Sequence, residues 1–334
     1  MTIIHYNVKL ITETFYELRK KSQRKRVFNI FDQLKIKNLT SILLYLFSYR
    51  KATKTQLVRG TALSNSTVSA SVNSLVKLGL VESDGLEESI GGRRSSIYRI
   101  NKNYGRFIGV DIRENELRYA VTDCQNALIE TGVCKLKSQV PAVQQLLDCL
   151  ERVIAAHTKV LGIGIGLDAQ LDPAEQVVLH SGRLGWDNVH LKEVIERRFL
   201  ILTYIDHRVN GAGVREGILG NMQGFANYVC FYESAPEKAA LVLNGEICRG
   251  ARNSIGRLTA EPALWEALPS LLNFLDVNAV CIGYRTKEYK EKMLALANRT
   301  DIKVFCFPEA EPCMEAGMAT VAQKEWFQSI YFML

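Results

Sequence analysis

The chain has 334 residues, 47% of them hydrophobic and 23% charged, which is enough apolar material for a packed core and excludes an intrinsically disordered chain. No apolar run reaches the ~20 residues that a membrane helix needs, and the opening "MTIIHYNVKL" lacks the basic-then-apolar layout of a secretion signal. A cytoplasmic protein with no membrane partner is therefore expected. The net charge of +7 conceals an asymmetry: residues 1–105 hold 18 Lys and Arg against 7 Asp and Glu, and the remainder holds 24 against 28. A basic front on a mildly acidic back predicts that the front meets a polyanion.

Residues 1–33 form a basic segment around "ELRKKSQRKRVFNIF", read either as a helix beside a nucleic-acid backbone or as a frayed arm. From there Ile36, Leu39, Ile42, Leu43, Leu46 and Phe47 recur at helical spacing. "ATKTQLVRGTAL" gives a short second helix, with Thr53 as N-cap and Gly60 as its stop. "SNSTVSASVNSLVKLGLV" gives a third, capped by Ser64 or Asn65, with Val68, Val72, Leu75, Val76 and Leu78 on its buried face and Gly79 at its end. Two strand-like runs, "LVES" and "SSIYRI", follow, joined by "DGLEESIGGRR". Helix, helix, turn, helix and hairpin make a winged helix-turn-helix over residues 34–103. The outward face of the third helix carries Ser66, Thr67, Ser69, Ala70 and Asn73. Small side chains let a helix approach a major groove closely, and hydroxyls and amides offer donors and acceptors to base edges. Lys54, Thr55 and Arg59 are expected at or near phosphates. Gly92, Arg93 and Arg94 are expected at the wing tip, reaching the adjacent backbone or minor groove.

From residue 104 the texture becomes α/β. "RFIGVDI", "LRYAVTD" and "ALIETGVCKL" read as strands, "VPAVQQLLDCLERVIAAH" as an amphipathic helix and "VLGIGIGLD" as a buried strand. Strand and helix then alternate to "CMEAGMATVAQKEWF". The pattern predicts two α/β lobes, 104–222 and 223–334, around a cleft, without an evident sequence repeat. The eight cysteines include no CxxC pair, and reduced thiols are expected rather than a metal site.

The order of "LSNSTVSASVNSLVKLGLV", "GGRRSSIYRINKNYGRFIGVDI", "GIGIGLDAQLD", "LGWDNVHLKEVIERRF" and "LNGEICRGA" resembles the ROK family of repressors, open reading frames and sugar kinases, over about Lys35 to Gln323. The resemblance implies a winged helix-turn-helix followed by a two-lobed actin-like (ribonuclease H-like) ATPase/sugar-kinase fold. It also implies a sugar-responsive transcriptional regulator, since the kinase members lack the helical front.

Four departures from the family pattern bear on chemistry. Where the kinases have a DxGxT phosphate loop, this chain has "DIRENE": Asp111 remains, but Arg113, Glu114 and Asn115 replace the small residues, and a Glu would repel a triphosphate. The second, glycine-rich phosphate loop reads "ESAPEKAALVLNG", with Ser234, Pro236, Lys238 and Ala240 in place of glycines, and Pro236 removes an amide donor. The catalytic Asp is matched by Arg208 in "IDHRVNGAG", and a guanidinium cannot take a proton from a hydroxyl; a shifted alignment would make Asp206 the base. In the sugar-binding ExGH stretch, Arg257 replaces the Glu and Ala260 the His, and the CxCGxxGC zinc loop is missing. No catalytic residue, cofactor or metal is therefore expected. Asp206, His207, Arg208 and Arg257 are candidate residues of an effector cleft, in which Arg208, Arg257 and His207 would form an anion pocket. The combined expectation is a non-enzymatic repressor of sugar-related genes. It would bind a palindromic double-stranded operator as a homodimer or higher homo-oligomer and respond to a sugar or sugar derivative. The alternatives are a sugar kinase with unusual site residues and a DNA-binding protein without an effector.

Overall fold

A computed structural model describes residues 30–86, 95–172, 174, 176–258, 262–297, 301–309 and 313–330. The first helix, α1 (Ile30–Tyr49), buries Leu39, Ile42, Leu43, Leu46 and Phe47. Strand β1 (Lys51–Thr53) follows it, a three-residue strand that the apolar pattern does not announce. Thr53 then caps α2 (Lys54–Thr61) in a reciprocal box: its hydroxyl accepts from the Gln56 amide at 3.3 Å, and its own amide donates to the Gln56 side chain at 2.8 Å. Ser64 rather than Asn65 caps α3 (Asn65–Lys77), accepting from the Thr67 amide at 3.2 Å. The wing strands β2 (Val81–Leu86) and β3 (Ser96–Ile100) pair antiparallel, and β1 joins them in the order β1-β3-β2.

Two local expectations are corrected. Gly60 does not stop α2, which continues to Thr61 and ends at Ala62 in the left-handed conformation. Gly60 is instead where α2 packs onto α1, since a Cβ there would lie 1.9 Å from the Tyr45 ring. Val76 and Leu78 are 42% and 40% exposed. The buried stripe of α3 runs through Val68, Ser71, Val72 and Leu75, and at 100° per residue Val76 already rotates off it.

The body begins with three antiparallel strands, β4 (Arg106–Ile112), β5 (Glu116–Asp123) and β6 (Leu128–Lys135). After α4 (Ala142–Ala156), β7 (Val160–Leu167) returns parallel to β4. A small sheet of β8 (Gln170–Leu171), β9 (Val178–Ser181) and β10 (Trp186–Val189) leads to α5 (Leu191–Phe199). Strand β11 (Leu202–His207) then pairs parallel with β7, and α6 (Arg208–Leu219) crosses towards the second lobe. That lobe contains β12 (Tyr228–Tyr232), β13 (Ala240–Leu243), β14 (Glu246–Ile247), α7 (Pro262–Phe274), β15 (Ala279–Tyr284), α8 (Lys287–Ala297) and β16 (Lys303–Pro308). The last helix is α9 (Met314–Gln328).

The sheet orders β6-β5-β4-β7-β11 and β14-β13-β12-β15-β16 are one topology used twice: an antiparallel meander on one side of the first strand and two parallel strands on the other. The body is thus the two-lobed actin-like fold. The "GIGIG" run of β7 shows how the lobes are held. Ile163, Ile165 and Leu167 join a core with Leu146, Leu150 and Val153 of α4. The alternating glycines face α9, and a Cβ on Gly164 would stand 2.0 Å from the Met318 carbonyl. Helix α9 also carries the front of the molecule: Phe47 of α1 meets Phe327 edge-on at 5.7 Å.

Candidate DNA interface and effector cleft

On the helical front, Ser66, Ala70 and Asn73 of α3 are exposed, and Thr67 and Ser69 are half-buried. Ser64 Oγ lies 2.9 Å from Ser66 Oγ and 2.8 Å from Thr67 Oγ1, which orders the hydroxyls at the start of the helix. Among the residues of α3, Lys77 is the single charged one. Thr55 and Arg59 of α2 are exposed. Lys54 is half-buried, with Nζ 5.7 Å from the Tyr98 ring centre, so part of its reach is tied to β3. Gly92, Arg93 and Arg94 lie outside the described residues, as does most of the basic segment before Ile30.

In the body, parallel register puts Asp111, Gly166 and Asp206 side by side at the C-terminal ends of β4, β7 and β11, on one face of the sheet. Two carboxylates in one row need cations. Asp111, wholly buried, accepts from Arg208 Nη2 at 2.8 Å and from Arg113 Nε at 2.7 Å. Arg208 also donates to the Ser234 carbonyl at 3.2 Å and stands 3.7 Å from Asp168. Burial alone would ease its proton off, but Asp111 and Asp168 outweigh that and lift its pKa above the ordinary value. Burial raises the pKa of Asp168, with Arg208 opposing. Asp206 is equally committed: Arg249 holds Oδ2 at 2.7 Å, while the His207 amide and Asn210 side chain donate to Oδ1 at 2.7 and 2.8 Å. Neither Asp206 nor Arg208 is among the residues that line the cavity between the lobes. Charge pairing in the row beneath uses both.

What the cleft does contain is a cavity of about 490 Å³ where the two lobes meet, lined by His207 and Arg257 together with Asp168, Lys238, Arg252 and Asn253 among others. Burial pushes the His207 pKa down to about 4, so the ring is neutral and its Nε2–H donates to the Asn253 carbonyl at 3.0 Å. Lys238 Nζ donates to the same carbonyl at 3.2 Å. Lys238 and Asn253 escaped the sequence reading as ligand residues. The signal available was a lysine inside a loop expected to be glycine-rich. Ala260 lies outside the described residues; only four residues separate Arg257 from Pro262 at the start of α7. Among the described residues no group of three or more His, Cys, Asp and Glu could hold a metal, and all eight cysteines are free thiols.

The model of the ROK family matches residues 107–281, more than half of the chain. The chain belongs to the ROK family. A putative xylose repressor of Caldicellulosiruptor sp. (strain Rt8B.4) is 28% identical over 228 residues, which cover 66% of this ROK chain and 57% of that relative. The chain thus spans somewhat over half the length of the curated relative it matches. A crystal structure described as a ROK family transcriptional regulator, homologue of the Escherichia coli MLC protein, superposes with a TM-score of 0.72 at 12% identity, covering 89% of this chain and 99% of that one. A ROK glucokinase from Streptomyces griseus, solved with glucose and AMPPNP, superposes with a TM-score of 0.53 at 15% identity, covering 66% of this chain and all of the kinase. The fold is therefore a winged helix-turn-helix on a ROK body. Among the described residues no helix is long and apolar enough to cross a membrane.

Proposed function

We propose that this ROK protein is a non-catalytic transcriptional repressor of sugar-related genes. Residues 34–103 bind palindromic double-stranded DNA, the body associates as a homodimer, and the cleft between the lobes senses a small molecule. The observation that carries the reading is the Arg208–Asp111 pair. It stands where the family resemblance puts the catalytic base, and it ties that position to the first phosphate loop. A proton acceptor is replaced by a permanent cation, so the cleft keeps its shape without the group that phosphoryl transfer needs. The front supports the DNA half of the reading: α3 offers Ser66, Ala70 and Asn73 to a groove with no acidic side chain on the helix. A pseudo-palindrome matches a two-fold dimer and supplies the contact area that one small helix lacks.

Helix α6 supports a link between the two halves. It starts at Arg208 beneath the cleft, and its Gly217 and Ile218 line a second cavity, of about 660 Å³, together with Leu44 and Phe47 of α1. A ligand that moves the start of α6 would therefore act on the helix that carries the DNA-binding unit. Selection of bound fragments from genomic DNA, followed by mobility-shift titration, tests the first half. Failure to enrich any fragment would refute it. An ATP-turnover assay with a hexose panel tests the second: no turnover is expected, and clear turnover would make the protein a kinase.

A further inference from the structure

We infer that the cleft takes an anionic polyol, a sugar carrying a phosphate or carboxylate group, held at its charged end by Lys238 and at a hydroxyl by Asn253. The inference rests on the reading of this cavity as the effector site and supplies the chemical class of the effector.

Lys238 is only 6% exposed, and its ammonium donates to a single carbonyl, that of Asn253. No carboxylate lies within ion-pair distance of it among the described residues: Asp206 is held by Arg249 and Asp168 stands beside Arg208, so both attract the ammonium only from further off. A buried ammonium without an anion is costly, and the cost shows as a pKa drawn down by burial to about 8. Two further cations on the next loop, Arg252 and Arg257, line the same cavity and have no ion pair among the described residues. The fourth, Arg183, is paired with Glu237. The acids of the lining are thus matched by arginines, and three cations remain over, which a neutral sugar would leave uncompensated and a metal ion would oppose.

The polyol half follows from Asn253. It is 4% exposed, sits in the left-handed conformation at φ 51°, and its carbonyl already accepts from both Lys238 and His207. Its side-chain Oδ1 is buried with no hydrogen-bond partner. A buried acceptor left unmade is expensive, and a small rotation of this side chain towards the cavity that Asn253 lines would let a ligand hydroxyl satisfy it. At about 490 Å³ the cavity suits a monosaccharide derivative.

The test is calorimetric titration of the full chain with glucose 6-phosphate, gluconate, glucose and inorganic phosphate, with promoter-fragment affinity measured in parallel. One or both charged sugars should bind, and the stronger of the two tells phosphate from carboxylate. Glucose should bind at least about tenfold more weakly, as expected when a charge-assisted contact is lost. Lys238→Met should weaken the charged sugar about tenfold or more. Arg257→Ala, an exposed rim change with no fold to disturb, should weaken it by a smaller factor. Glucose binding as tightly as the charged sugars, or charged-sugar affinity unchanged in both variants, overturns the inference, as does failure of all four probes. Charged-sugar binding that leaves DNA affinity unaltered would sink the effector reading while the ligand class stands. Release of DNA by glucose alone would do the reverse.

Discussion

Replacing Arg208 by Met tests the inverted catalytic position most directly. Asp111 is wholly buried and has two arginine partners, at 2.8 and 2.7 Å, while its Oδ1 has no partner at all. Removing one partner of a buried pair typically costs ~3–5 kcal/mol. Arg113 would still hold Asp111 here, so about 2–3 kcal/mol is expected. For a chain of this size that corresponds to a fall in Tm of about 3–4 °C, read by calorimetry or by circular dichroism. The double change Arg208→Met/Asp111→Asn should recover roughly half of the loss, because the stranded charge goes with its partner. Arg208→Asp should not create a kinase, since it adds a carboxylate beside Asp111 and Asp168 and leaves both altered phosphate loops in place. A melting curve for Arg208→Met within a degree of wild type would refute the pairing argument, because it would mean that the guanidinium is not committed to Asp111.

Operator affinity should fall steeply with added salt, and Asn73→Ala should cost ~1–3 kcal/mol on the preferred sequence while relaxing its specificity; a flat salt response in a filter-binding titration would count against the DNA interface. Thr53→Ala removes half of the α2 capping box and should lower stability by about 1 kcal/mol in urea unfolding. Gly109→Ala should be far worse, because its Cβ would fall 1.8 Å from the Glu315 carbonyl in the α9 packing seam; soluble, normally melting protein would disprove that seam. Lys135 and Arg118 hold the Glu116 pKa down at about 2, against an ordinary 4.5. A depressed carboxylate adds stability above its unfolded pKa and loses it as pH falls from about 4.5 towards 2, so Glu116→Gln should flatten that acid limb. The affinity of a charged sugar should weaken as pH rises through about 8, where Lys238 loses its proton while facing Asp168, Asp206, Arg249, Arg257 and neutral His207.

The sequence by itself determined the helical front and the alternation of strands and helices in the body. Leu39 to Phe47 and Val68 to Leu75 announce their buried faces by spacing, and "RFIGVDI" or "VLGIGIGLD" cannot be surface segments. It also showed that Arg208 and Arg257 stand where a sugar kinase needs carboxylates. The repeated topology was not legible, because two sheets can share strand order and direction while their side chains share nothing. Nor was the fate of the arginines. Spacing along a chain says which charge is present, and only the fold brings Asp111 across to Arg208, 97 residues away, and Arg249 to Asp206. Once those pairs form, Lys238, Arg252 and Arg257 are the cations of the cavity lining that have no ion pair among the described residues. That outcome depends on which charges the sheet edge buries together, and burial is a property of the packed lobes.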